Sequence, residues 1–166
     1  LHVAAWNGKE AAVRALVAAG ANLEAQDKDQ RTPLHLAAWE GEEAVVRALV
    51  AAGANMEAQD KDQSTPLHWA AMVGTKAVVE ALVAAGANLE AQDKNQLTPL
   101  YWAARFDKEA VVEALVAAGA NLEAQDKDQL TPLHCAAREG KEAAVRALAA
   151  AGANLEAQDK NQDTPL

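Results

Sequence analysis

Apolar and polar positions along this chain follow one another in blocks that return at a fixed interval. Within residues 32–64, an apolar run leads to Gly41, and a second apolar stripe follows at Val45, Val46, Leu49 and Val50. Spacing of this kind predicts one buried face of a helix. The next stretch, 54–64, is polar, and the order then repeats every 33 residues from Thr32, Thr65, Thr98, Thr131 and Thr164. Such a period predicts one small unit stacked many times.

A single unit contains signals for two helices. Thr32 is a good N-cap and Pro33 suits the first helical position, so we expect a helix from Pro33 to about Glu40, ended by Gly41. Acidic residues favour the start of a second helix at Glu42–Ala52, and Gly53 is expected to end it in the left-handed conformation. Residues 54–64 are predicted to form a short hairpin or loop with its turn at 60–63. The fold prediction is an all-α solenoid of helix-turn-helix units joined by projecting turns.

The period also predicts the domain organisation. Residues 1–166 form a single repeat domain, with a partial unit at 1–31, full units at 32–64, 65–97, 98–130 and 131–163, and the start of another at 164–166. Neither terminal unit resembles the polar caps that solenoids need for solubility. We therefore expect this chain to be part of a longer repeat array, with further repeats at both ends.

The unit's motif resembles that of the ankyrin repeat family. The matching residues are Thr-Pro-Leu-His from Thr32, then Leu36-Ala37-Ala38, Gly41, Val46, Leu49 and Gly53-Ala54. The resemblance implies a gently curved stack whose first helices and hairpin tips line a concave face. It also implies non-covalent binding of another protein through that face.

Some positions depart from the family pattern. The fourth residue of each tip turn is usually glycine, but here it is Gln30, Gln63, Gln96, Gln129 and Gln162. Either these glutamines adopt a positive φ at some energetic cost, or the tips form another turn. Tyr101 replaces the usual histidine, Asp107 replaces the glycine between helices, and an asparagine common in the family is Glu24, Glu57, Glu90, Glu123 and Glu156.

Comparison of equivalent positions separates constant residues from variable ones. On the first helix, Leu34, Ala37 and Ala38 recur in each full unit and are expected to be buried. The variable positions on the opposite face, with the residue before each Thr, are predicted to bind a partner. They are Trp6, Arg31, Leu36, Trp39, Glu40, Ser64, Trp69, Met72, Val73, Leu97, Trp102, Arg105, Phe106, Leu130 and Arg138. In the alternative, the indole rings lie along the stack as framework.

Charge and composition exclude several functions. The net charge is −9 with lysine and arginine scattered, so neither nucleic acid nor an anionic membrane is expected as a partner. No apolar run reaches the ~18 residues of a membrane span. The single cysteine fits a reducing compartment, and we expect an intracellular protein of the cytoplasm or nucleus.

No catalytic or metal-binding pattern emerges. His2, His35, His68 and His134 occupy one repeat position, too far apart to share a metal, and are expected to support their own turns. The Asp27-Lys28-Asp29 tip lacks the glycine and glutamate of a calcium loop. Cys135 is expected to be an exposed or half-buried small side chain. We therefore predict no cofactor and no enzymatic activity.

Three functions remain open. The first is a protein–protein interaction module that uses the concave face. The second is a structural spacer or scaffold segment within a longer repeat protein. The third is the recognition segment of a larger multidomain signalling protein. Clustered tryptophan and phenylalanine at variable positions favour the first, since a spacer does not need them.

Overall fold

The computed structural model describes residues 1–165, which form five pairs of short helices. The helices are α1 His2–Trp6, α2 Glu10–Ala18, α3 Pro33–Glu40, α4 Glu43–Ala51, α5 Pro66–Val73, α6 Lys76–Ala84, α7 Pro99–Arg105, α8 Glu109–Ala117, α9 Pro132–Arg138 and α10 Glu142–Ala150. No β-strand occurs within residues 1–165. The predicted all-α repeat stack is confirmed.

The helices form two layers. Each odd-numbered helix packs on the next odd-numbered helix, and each even-numbered helix on the next even-numbered one. Within every unit the first helix also contacts the second. The first helices therefore make one continuous row of short segments, and the second helices make another behind it.

Local capping explains where the first helices begin. Thr32, Thr65 and Thr131 each form a reciprocal capping box with the histidine three residues later, and proline occupies the first turn. The predicted bounds of α3 are confirmed. The second helix starts one residue later and ends one residue earlier than predicted, because Glu42 has a non-helical ψ of 79° and Ala52 serves as the C-cap.

The core lies between the two layers. The constant leucines of the first helix, such as Leu34 and Leu67, are 1% exposed, and those of the second, such as Leu49 and Leu82, are fully buried. Small alanines at Ala37 and equivalent positions, also fully buried, allow neighbouring first helices to approach closely. The predicted constant face of the first helix is therefore the buried one.

One residue in each hairpin tip adopts the left-handed backbone conformation. In one tip the Asp60 N–H donates to the Ser64 carbonyl at 3.1 Å, and the Gln63 N–H donates to the Asp60 carbonyl at 2.9 Å. All five tip glutamines have positive φ, between 62° and 67°. Of the two alternatives for the tips, the structure shows the one in which glutamine occupies a conformation that glycine adopts more easily.

Asp107 also has a positive φ, 55°, at a position that is glycine in the other units. Its carboxylate accepts a hydrogen bond at 2.9 Å from the Ala144 N–H in the first turn of α10. An acceptor at a helix N-terminus satisfies an amide that has no partner within its helix. This bond to the following unit offsets part of the backbone cost of replacing glycine.

Candidate functional site

The histidines hold each first helix to its own turn and to the following hairpin. The Thr32 N–H donates to His35 Nδ1 at 3.1 Å, and His35 Nε2 donates to the Ser64 carbonyl at 3.0 Å. Acceptance at Nδ1 and donation at Nε2 require the neutral ring. Burial lowers the pKa of His35, although the hydrogen bond to the Ser64 carbonyl opposes this shift. The predicted supporting role is confirmed, and the bond to the next hairpin adds a link between units.

Tyr101, at the histidine position of its unit, makes a different link. Its hydroxyl donates to Asp126 Oδ2 at 3.0 Å, and its ring packs with Cys135 in a small apolar cluster beneath the tips. Cys135 is 1% exposed, so the expectation of an exposed or half-buried side chain is wrong. Burial, the largest effect, raises the pKa of the Cys135 thiol and keeps it protonated at neutral pH.

In two of the tips a buried aspartate organises the turn and also bonds a variable side chain. Asp60 Oδ1 accepts from the backbone N–H groups of Asp62 and Ser64 at 2.8 and 2.9 Å. Its Oδ2 accepts from Trp69 Nε1 at 2.9 Å, and Asp93 accepts from Trp102 Nε1 at 3.2 Å in the same way. The polar edge of both indoles is therefore bound to the framework.

The aromatic rings form two groups along the row of first helices. Trp39 meets Trp69 edge to face with 4.8 Å between ring centroids, and Trp102 lies 6.1 Å from Phe106. The guanidinium of Arg31 stands 5.9 Å from the Trp69 ring centroid. Trp39, Trp69 and Trp102 are half-buried, while Phe106 is 43% exposed. The rings therefore pack on the framework and still present apolar surface.

Burial divides the fifteen predicted partner-binding residues into three groups. Exposed are Trp6, Glu40, Arg105, Phe106 and Arg138. Half-buried are Arg31, Trp39, Trp69, Met72, Val73 and Trp102. Buried are Leu36, Ser64, Leu97 and Leu130.

The buried group corrects the expectation of one open variable face. Ser64, Leu97 and Leu130 immediately follow the left-handed tip residue, where the hairpin folds back over the first helices. Leu97 and Leu130 pack there against Tyr101 and Cys135. Leu36 is 6% exposed. These four side chains can support a contact surface from below but offer little area to a partner.

Two ladders between units were not anticipated from the sequence. Lys61 Nζ donates to Asp29 of the preceding tip at 2.5 Å, and this bond recurs between later tips. In the second series of bonds, Glu24 accepts from the Asn55 N–H at 2.8 Å, and three further glutamates repeat this bond in later units. The sequence did contain one signal for these bonds, namely charged residues that stay constant at one repeat position.

Recurring links between successive units and a variable row of first helices define a helical repeat solenoid, a class of protein built from stacked copies of one structural unit. Comparison with family models agrees: the model for ankyrin repeats matches three times, at residues 1–93, 52–126 and 77–163. The chain belongs to the ankyrin repeat family. No curated protein matches it significantly. Ankyrin repeats are generally protein–protein interaction modules and are typically non-catalytic.

Hydropathy along the helices adds one observation. Within residues 1–165, none of the helices combines the length and the apolar character needed to cross a bilayer.

Proposed function

We propose that this chain is a non-catalytic interaction module that binds another protein through the concave surface made by its first helices and hairpin tips. The observation that carries the proposal is the row of aromatic side chains at variable positions, half-buried or exposed, on a framework whose buried leucines and alanines recur from unit to unit. Partly exposed aromatic residues rimmed by charges are typical of interaction sites.

The tryptophans contribute to both the framework and the proposed surface. Trp69 and Trp102 donate their indole N–H groups to buried aspartates, so their removal would weaken the hairpins as well as any contact. Trp39, Met72 and Phe106 make no side-chain hydrogen bond within residues 1–165 and lie half-buried or exposed. These three side chains therefore give the cleaner test of binding.

The test compares proteins captured from a cell extract by three forms of the chain. They are the wild type, a Trp39→Ala/Met72→Ala/Phe106→Ala variant and a control that shortens the half-buried valines of the second helices, Val50→Ala/Val83→Ala/Val116→Ala. We expect the wild type and the control to capture the same partner and the first variant to lose it. Circular dichroism checks that all three are folded. Equal capture by all three would remove the proposed surface and favour a spacer.

A further inference from the structure

One groove in the row of first helices contains an unusual set of charges. It has a volume of about 210 Å³ and lies between the tips of two neighbouring units and the helices α7 and α9. Leu97, Tyr101 and Leu130 line it together with the cationic side chains of Arg105, Lys127 and Arg138. Asp126 and Asp128 also line it, so three cationic and two acidic side chains surround a floor of buried residues.

Lys127 lacks the ion pair that its equivalents make. Lys61, Lys94 and Lys160 each donate to the aspartate of the preceding tip, at 2.5, 2.5 and 3.1 Å. In the tip before Lys127 that aspartate is replaced by the neutral Asn95. Within residues 1–165 no ion pair involves Lys127, so its ammonium group is available to a ligand.

The two arginines are also unpaired. Arg105 and Arg138 occupy equivalent positions in the last turns of α7 and α9, and both side chains are exposed. Neither forms a salt bridge within the described residues. Both side chains line the same groove.

The carboxylates that line the groove are already engaged. Asp126 accepts from two backbone N–H groups at 2.8 and 2.9 Å and from the Tyr101 hydroxyl at 3.0 Å. Asp128 pairs with Lys160. The chain as a whole carries −9, but at physiological salt charges more than ~8 Å away are largely screened. The donors to Asp126 are neutral groups, so one carboxylate without a cationic partner faces three unpaired cations.

We propose that this groove binds an acidic peptide segment of the partner, with aspartate or glutamate carboxylates on Arg105, Arg138 and Lys127. This inference rests on the proposed function and specifies its partner. Arginine binds carboxylates in a two-bonded, directional geometry. A phosphate would meet the same three cations and the same two aspartates, so phosphoserine peptides are compared with acidic ones below.

The first test selects peptides from a random 12-residue library displayed on phage, with the wild-type chain as bait. We expect the selected sequences to be enriched in aspartate and glutamate, and their affinity to fall with added salt. A selection that yields only neutral or basic peptides, or no binders, overturns the inference.

The second test restores the missing ion pair. Asn95→Asp is expected to pair Lys127 and weaken binding of the selected acidic peptides about tenfold, as measured by fluorescence anisotropy. Asn22→Asp adds the same charge in the first unit, outside the groove lining, keeps the acceptor for the Glu24 N–H and serves as the control. Equal affinity of the two variants overturns the role of Lys127.

The third test removes the arginine charges. Arg105→Gln/Arg138→Gln is expected to weaken binding by more than tenfold, whereas Arg14→Gln/Arg47→Gln, on the second helices, keeps wild-type affinity. Peptides with phosphoserine in place of the acidic residues are measured alongside, and tighter binding of the phosphoserine form would overturn the carboxylate assignment. If binding depends on Trp39, Met72 and Phe106 but not on these cations, this inference fails and the proposed function stands. If it depends on neither set, both fail.

Discussion

Replacement of the tip glutamines tests how much their left-handed backbone conformation lowers the free energy of unfolding. Gln63, Gln96 and Gln129 have φ values of 62°, 65° and 62°, and all three side chains are exposed. Replacing them by glycine removes little packing. We expect the triple variant to be more stable than the wild type.

The magnitude follows from two opposing effects. An L-residue in the left-handed conformation costs roughly 1–2 kcal/mol, which glycine avoids. Glycine also gives the unfolded chain more freedom, which lowers stability by ≈ 0.4–1 kcal/mol at each site. The difference is about 0.5–1 kcal/mol per tip, or about 2 kcal/mol for three tips.

Gln59, Gln92 and Gln125 supply a matched control. They are also exposed, recur once per unit and have no positive φ. Their replacement by glycine should therefore destabilise, by ≈ 0.4–1 kcal/mol each. Urea unfolding followed by circular dichroism measures both triples, with the slope against urea checked for constancy. If the tip variant were no more stable than the wild type, the cost assigned to positive φ would be refuted.

Three further predictions concern other sites. Ser64→Ala should raise the free energy of unfolding by about 1 kcal/mol, because the Ser64 hydroxyl is buried without a hydrogen-bond partner within residues 1–165; a loss of stability in urea would contradict this. Asp107→Ala should cost about 1–2 kcal/mol, since it removes the bond to Ala144 and keeps the positive φ, whereas Asp107→Asn should change the urea midpoint little. Burial lowers the pKa values of His35 and His68 below 6.5, so the unfolded chain binds more protons and stability should fall as pH drops below about 6.5, by at most about 2.7 kcal/mol per pH unit for the two together; urea midpoints at pH 7 and 5.5 that coincide would argue against it.

The proposed groove illustrates why part of a site can be found in a sequence and part cannot. Arg105 and Arg138 were predicted as partner-binding residues because the residue type varies at a position shared by all units. Lys127 was not predicted, since its type is constant from unit to unit. Its significance depends on a partner 32 positions away, Asn95, and the pairing of tips becomes visible only once neighbouring units are stacked.

Local sequence signals determine where the helices lie and how they repeat. Threonine, proline and glycine act on adjacent backbone groups, so the ends of α3 follow from Thr32, Pro33 and Gly41 without reference to the rest of the molecule. The period of 33 residues then requires stacking, because one helix pair cannot bury its apolar face alone.

Tertiary structure alone decided which variable side chains remain accessible. Spacing along a helix shows which residues share a face, but it does not show what a neighbouring hairpin covers. Leu97 and Leu130 are buried because the hairpin folds back onto Tyr101 and Cys135. Trp69 is held in place because its indole N–H donates a hydrogen bond to Asp60. These contacts join segments whose separation in space depends on the whole stack, so the accessible part of the surface was established only when the units were packed together.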